Sequence, residues 1–167
     1  NQSQIIESIK KFESCEIANY STKTNFTLSY CKSEYEKIKT EIYKKEPINI
    51  IDIPVKGGWH SSFMKNAEKE LKEIIKKFKF SEPSVNYIDN VNGETLLKVD
   101  INKKKLISHI YKPVMWLKCM ENMINIEKID FFVEVGYGDM LSKFSKLINR
   151  RIPIYNTTNI QKIDSLI

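Results

Sequence analysis

The 167-residue chain is poor in the residues that mark several common activities. It has five glycines, at positions 57, 58, 93, 136 and 138, and no pair of them brackets a serine as G-x-S-x-G. A serine hydrolase complete within these residues is excluded by that motif. The three cysteines, Cys15, Cys31 and Cys119, lie far apart. With no C-x-x-C pair, neither a zinc site nor a dithiol redox motif is indicated, and free thiols are expected. No apolar run reaches membrane-span length, so no membrane partner is expected. Histidine occurs only at 60 and 109. The chain opens on Asn1, with neither Met nor a secretory leader pattern, and an upstream segment of the same protein is expected.

What is plentiful is lysine. Lys and Arg total 27 against 21 Asp and Glu, giving a net charge of +6 and a pI near 9.1. Such a balance suits an acidic partner: nucleic acid, an anionic membrane or an acidic carrier protein. The lysines are scattered along helical faces, as in "KTEIYKK", which favours a solvated surface over a nucleic-acid face. Hydrophobic residues make up 41% and charged residues 29%, enough for a packed core.

Periodicity predicts helices over 2–12 and 33–45, the second capped by Ser33 and ended by Pro47. Between them, "CEIANY" (15–20) and "NFTLSY" (25–30) read as strands. "INIIDIPV" (48–55) reads as another. This order is one strand short of a split βαβ, ferredoxin-like unit. A helix over about 62–79 follows, then a strand near 84–88 and the turn "DNVNGE". Leu106, Ile107, Ile110 and Tyr111 mark a helix that stops before Pro113. A helix over 114–124, the apolar strand "IDFFVEV" (129–135), a helix over 139–149 and the strand "IPIY" (152–155) complete an α/β pattern.

Two stretches carry candidate chemistry. "VEVGYGDML" has a strand, G-x-G and helix, the start of a dinucleotide fingerprint. Leu141 stands at the third glycine position and Asn156 where an acidic ribose ligand belongs, so a tight strand-to-helix turn is the favoured reading. "VKGGWHSSFM" places His60 at a helix entrance, between a glycine pair and a serine pair. The positive end of a helix disfavours imidazolium and keeps such a histidine available as a base. Ser61 or Ser62 can cap the helix. On these residues alone His60 is a catalytic base or a loop histidine bonded to backbone. A metal ligand is disfavoured, because no partner lies at ligand spacing.

The motifs taken together resemble the malonyl-CoA:acyl-carrier-protein transacylases and the related acyltransferase domains of polyketide synthases. "GGWHSSFM" is similar to their GAFHSxxM, "YIDNVNGE" to xSNVxG and "ISHIYKPVMW" to xxQLxxPVxW. "FFVEVGYGDML" resembles xxFEVGPGxxL, and "ANYSTKTNFTLS" their small-lobe NxNSPxQxVxS. The order and spacing fit from end to end. Tyr137, Lys23 and Asn25 depart from the family's usual residues.

The resemblance implies an α/β fold: the C-terminal part of a hydrolase-like three-layer acyltransferase lobe (55–167) plus most of an incomplete ferredoxin-like small lobe (1–54). It implies transfer of malonyl from malonyl-CoA to the phosphopantetheine thiol of acyl carrier protein, through an acyl-serine, for fatty acid or polyketide synthesis. His60 inherits the role of general base. His109, aligned on Pro113, supplies the main-chain carbonyl that orients it. Trp59 takes the Phe position of GAFH, a bulky pocket residue that resembles malonyl-selective members. The family's serine, oxyanion-hole donors and carboxylate-binding arginine would all precede Asn1. No cofactor, metal or nucleic acid is implied, and the setting would be a bacterial cytoplasm or a plastid-type matrix. The alternatives are an inactive carrier-docking module of the same fold and, behind it, a nucleotide-binding domain around Gly136 and Gly138.

Overall fold

Alternating apolar residues and a polar five-residue turn make a β-hairpin of the first strands, and two helices fold onto it. The computed structural model describes residues 2–44, 49–96 and 99–158. Strand β1 (Cys15–Tyr20) pairs antiparallel with β2 (Phe26–Tyr30). Helices α1 (Gln2–Ile9) and α2 (Tyr35–Tyr43) pack against each other. Ile9, Cys15, Ile17, Ile38 and Ile42 form the buried cluster, with Ile5, Ile6, Phe12 and Leu28 packed around it. Ile38 and Ile42 are four apart on α2 and share the face turned to the hairpin. A 3₁₀ turn, Lys32–Glu34, leads into α2, so Ser33 lies inside that turn and makes no cap.

The strand expected over 48–55 does not form in its described part. Residues 49–55 pair with no described strand, and Ile51, Ile53 and Val55 are exposed. A strand is defined by its ladder, and here no neighbour offers one. Pro47, the expected helix stop, lies outside the described residues.

The remainder alternates helix and strand. After a 3₁₀ turn (Ser62–Ala67) comes α3 (Glu68–Lys76), shorter than the expected helix at both ends. A small hairpin joins β3 (Tyr87–Ile88) to β4 (Thr95–Leu96), and α4 (Val99–Ser108) begins sooner than its apolar residues suggest. Helix α5 (Trp116–Asn125) buries Cys119 and Met120 and packs on β1 and on α6 (Met140–Ile148). Strands β5 (Phe132–Glu134) and β6 (Ile154–Asn156) run parallel, with α6 as the crossover between them. The parallel pairing agrees with the sequence pattern. The expected burial does not: Phe131, Val133 and Val135 are exposed, because a two-stranded ribbon cannot cover its own faces. Among the described residues no helix is long and apolar enough to cross a membrane.

Two backbone ties join the hairpin to the second part. Tyr20 donates its N–H to the Val114 carbonyl at 2.9 Å, and Val114 donates to the Ala18 carbonyl at 2.8 Å. Pro113 stops the chain from continuing as helix and leaves Val114 extended enough to lie beside β1. Cutting Ile38, 2% exposed, to Ala should destabilise the fold by about 2–4 kcal/mol, because the cavity cannot collapse between helix and hairpin. Urea unfolding of the two forms measures it.

Candidate active site

His60 sits in a loop that is forced into shape by its neighbours. Gly57 has φ +97°, open to glycine but strained for other residues. Gly58 has no room for a side chain, since a Cβ there would lie 2.7 Å from Phe63 Cδ2. His60 itself has φ 61°. The left-handed conformation costs a non-glycine residue about 1–2 kcal/mol, so something must hold it.

The end of α4 does so. The carbonyls just past a helix's last turn have no partner within the helix and carry its partial negative charge. His60 uses two of them in succession. Its backbone N–H donates to the Ile110 carbonyl at 3.0 Å, and its Nδ1 lies 2.7 Å from the His109 carbonyl. A carbonyl only accepts, so Nδ1 carries the proton and Nε2 is left as the basic nitrogen.

The structure brings the His60 ring and the His109 main chain together. It corrects the expected caps. Ser61 donates its hydroxyl to the Gly58 carbonyl at 2.6 Å and closes the loop on itself. Ser62 is held instead by Glu16 on β1. Trp59 is partly exposed, and its indole N–H donates to the Lys56 carbonyl at 2.8 Å, which fixes the ring beside Gly57. Ser29 on β2 donates to the Trp59 carbonyl at 3.1 Å. Glu16 and Ser29 were not legible as site residues. Each is one polar position in an alternating strand, and its partner lies some thirty or more residues away.

The His109 side chain is present as well as its carbonyl. Its ring centroid is 4.7 Å from that of His60, and its Nε2 is buried without a hydrogen-bond partner. Burial lowers the His109 pKa, and the nearby His60 ring adds to this, while Asp89 opposes it. Asp89 is itself fully buried at the head of the β3–β4 turn, where its Oδ1 accepts the Val91 and Asn92 N–H groups.

Beyond the glycine turn after β5, the start of α6 is capped by a side chain. Glu134 accepts the N–H groups of Leu141 at 3.1 Å and Ser142 at 2.9 Å. These are the donors at the start of α6 that a phosphate would need. Asn156 donates to Glu134 at 2.9 Å, so it too is committed. Burial pushes the Glu134 carboxyl up, but the bonds from Ser142, Asn156 and Leu141 outweigh it and hold the group below its usual range. Glu134 caps the start of α6 and already occupies the Leu141 and Ser142 amides, which disfavours the dinucleotide reading. Among the described residues no three His, Cys, Asp or Glu side chains gather at metal-binding distance.

His109 yields a pH test. Its folded pKa is lowered, so the unfolded chain binds the proton more readily. The stability this neutral histidine contributes is fully present above about pH 6.5, the unfolded value, and is lost as pH falls through the folded one. Between pH 7.5 and 5.5 the unfolding midpoint should therefore drop more in the wild type than in His109→Gln. Equal drops would remove His109 as the cause.

Comparison with known proteins bears on the family and the fold. No protein-family profile matches the chain. Over 115 residues it is 33% identical to the malonyl CoA-acyl carrier protein transacylase of Bacillus subtilis (strain 168), covering 68% of this chain and 36% of that protein. It superposes on the malonyl CoA-acyl carrier protein transacylase from Clostridium perfringens with a TM-score of 0.89 and 27% identity, over 99% of this chain and 55% of that one. The same fold, at TM-score 0.86 and 17% identity, occurs in a malonyl-transacylase in complex with its type II polyketide-synthase acyl-carrier protein, over 92% of this chain and 50% of that one. The chain spans about half the length of these solved structures, and its match spans little more than a third of the curated relative. Motif order, a relative of this identity and a shared fold converge, and the chain belongs to the malonyl-CoA:acyl-carrier-protein transacylase family.

Proposed function

We propose that this chain supplies the general base of a malonyl-CoA:acyl-carrier-protein transacylase, with residues 1–54 and 55–167 contributing to its small and large lobes. The observation that carries the reading is the bond from His60 Nδ1 to the His109 carbonyl, which leaves Nε2 as a directed base. No nucleophile-bearing G-x-S-x-G lies within these residues, so the serine comes from a segment outside them.

The chemistry follows from one basic nitrogen used four times. Nε2 takes the proton of the serine hydroxyl as its oxygen attacks the malonyl thioester. The tetrahedral adduct collapses, the C–S bond breaks, and the proton passes from Nε2 to the coenzyme A thiolate. The phosphopantetheine thiol of the carrier protein then gives its proton to Nε2 and attacks the acyl-serine. Collapse releases the serine oxygen, which recovers the proton from Nε2. No cofactor enters this sequence. The malonyl-transacylase complex with an acyl-carrier protein supports the choice of acceptor, and the bacterial relative supports a bacterial setting. A fixed tautomer on a strained loop supports a working base over an inactive docking module, which has no need of either.

Replacing His60 with Ala in the protein that carries this chain and its serine should lower malonyl transfer about 100- to 10,000-fold with folding intact. Steady-state transfer to carrier protein measures it, and near-normal turnover would sink the assignment. Trp59, pinned by its indole bond beside the catalytic loop, is the residue we assign to the wall of the acyl pocket. Trp59→Ala should raise the use of methylmalonyl relative to malonyl thioester by about tenfold, the order expected when room for one methyl is made. Competition between the two thioesters reads the ratio, and an unchanged value would place the selective contact elsewhere.

A further inference from the structure

The residues flanking His60 are gripped by the β1–β2 hairpin. Glu16, half-buried on β1, accepts the Ser62 N–H at 2.9 Å on Oε2 and the Ser62 hydroxyl on Oε1. Ser62 is two residues after His60. On the other side, Ser29 on β2 donates to the carbonyl of Trp59, one residue before His60. The hairpin thus holds the loop at both ends, while α4 holds the histidine in the middle.

Glu16 is the part that nothing else in the loop replaces. The Ser61 hydroxyl is directed backward to Gly58, so it cannot serve the N–H groups that open the Ser62–Ala67 turn. No side chain within the loop caps that turn. A carboxylate from a separate strand does, and its negative charge at the start of a helical segment is in the favoured place. The left-handed φ of His60 persists only while its surroundings over-determine it. The two bonds from Glu16 fix the chain immediately downstream of that strained residue.

We propose that Glu16 is a positioning residue for the reaction: its carboxylate, reaching across from the small lobe, sets the backbone of residues 60–62 and so aims His60 Nε2. It touches neither substrate nor reacting atoms. The inference rests on His60 being the base, as argued above. It also gives the small lobe a part in forming the catalytic geometry.

The test is a pair of substitutions, Glu16→Ala and Glu16→Gln, each made with and without His60→Ala in the protein that carries this chain and its serine. Glu16→Ala should lower kcat about 10- to 100-fold with KM for malonyl-CoA within about twofold, because a base displaced by about 1 Å loses rate and not ground-state binding. Gln keeps one acceptor for the Ser62 N–H and adds a donor for its hydroxyl, so it should recover kcat to within about threefold. In the His60→Ala background, Glu16→Ala should cost nothing more, since what it positions is gone. Wild-type kcat in Glu16→Ala, an equal loss in both backgrounds, or a Gln variant as impaired as the Ala variant would each overturn the proposal. Amide exchange at Ser62 separates this inference from the functional reading. If the unaltered protein transfers no malonyl, that reading falls. The clamp itself still predicts about tenfold faster Ser62 exchange in Glu16→Ala and none in Glu16→Gln, and unchanged exchange in Glu16→Ala would overturn it.

Discussion

One proton on one ring nitrogen organises the site. The His109 carbonyl can only accept, so it dictates which tautomer His60 adopts and which nitrogen faces outward. That carbonyl is free because α4 has just ended, and α4 ends where it does because Pro113 bars its continuation. The same proline leaves Val114 extended, and Val114 bridges to Asn19 on β1. Helix stop, the tie to β1 and the orientation of the His60 ring therefore trace to a single five-residue stretch, 109–113 with Val114 beyond it.

The strained backbone at His60 has a structural rationale in the same terms. An extended residue there could not direct its N–H and its ring to two successive carbonyls. The neighbouring glycines serve this conformation. Gly58 lets Phe63 close over the loop, and Gly57 turns the chain so that the Trp59 indole can reach back to Lys56. The glycines flanking Tyr137 serve a different end. They let the chain leave β5 tightly enough for Glu134 to reach the first turn of α6. A G-x-G alone does not distinguish a phosphate cradle from a side-chain cap. What decides is whether a carboxylate already occupies the amides.

Much of this was legible in the sequence, and the parts that were not share a cause. The first two helices and the hairpin between them follow from local periodicity, because the core that buries Ile38 and Ile42 is made by adjacent elements. His60 stood out by rarity and by its glycine and serine neighbours. The carbonyl of His109 was placed by alignment on Pro113, a local marker of a helix end. The strand expected over 48–55 failed because strandness belongs to pairs, and a β-branched run does not name its partner. The buried sheet expected around 129–135 is exposed for the same reason. Glu16 was invisible because its meaning lies at Ser62, and no period within β1 encodes that.

The ties around His60 also bear on how the chain comes together in time. His60 meets His109 across 49 residues, and Ser62 meets Glu16 across 46. Closing spans of that size carries an entropy cost that must be met before the contact rewards it. The β1–β2 turn and the individual helices close over a handful of residues and on much shorter timescales. Assembly should therefore run from local pieces to the long closures, with the aimed imidazole among the last features to appear. Refolding followed by helical signal and by protection of the Ser62 amide would then give two different clocks, and the later one would belong to the loop.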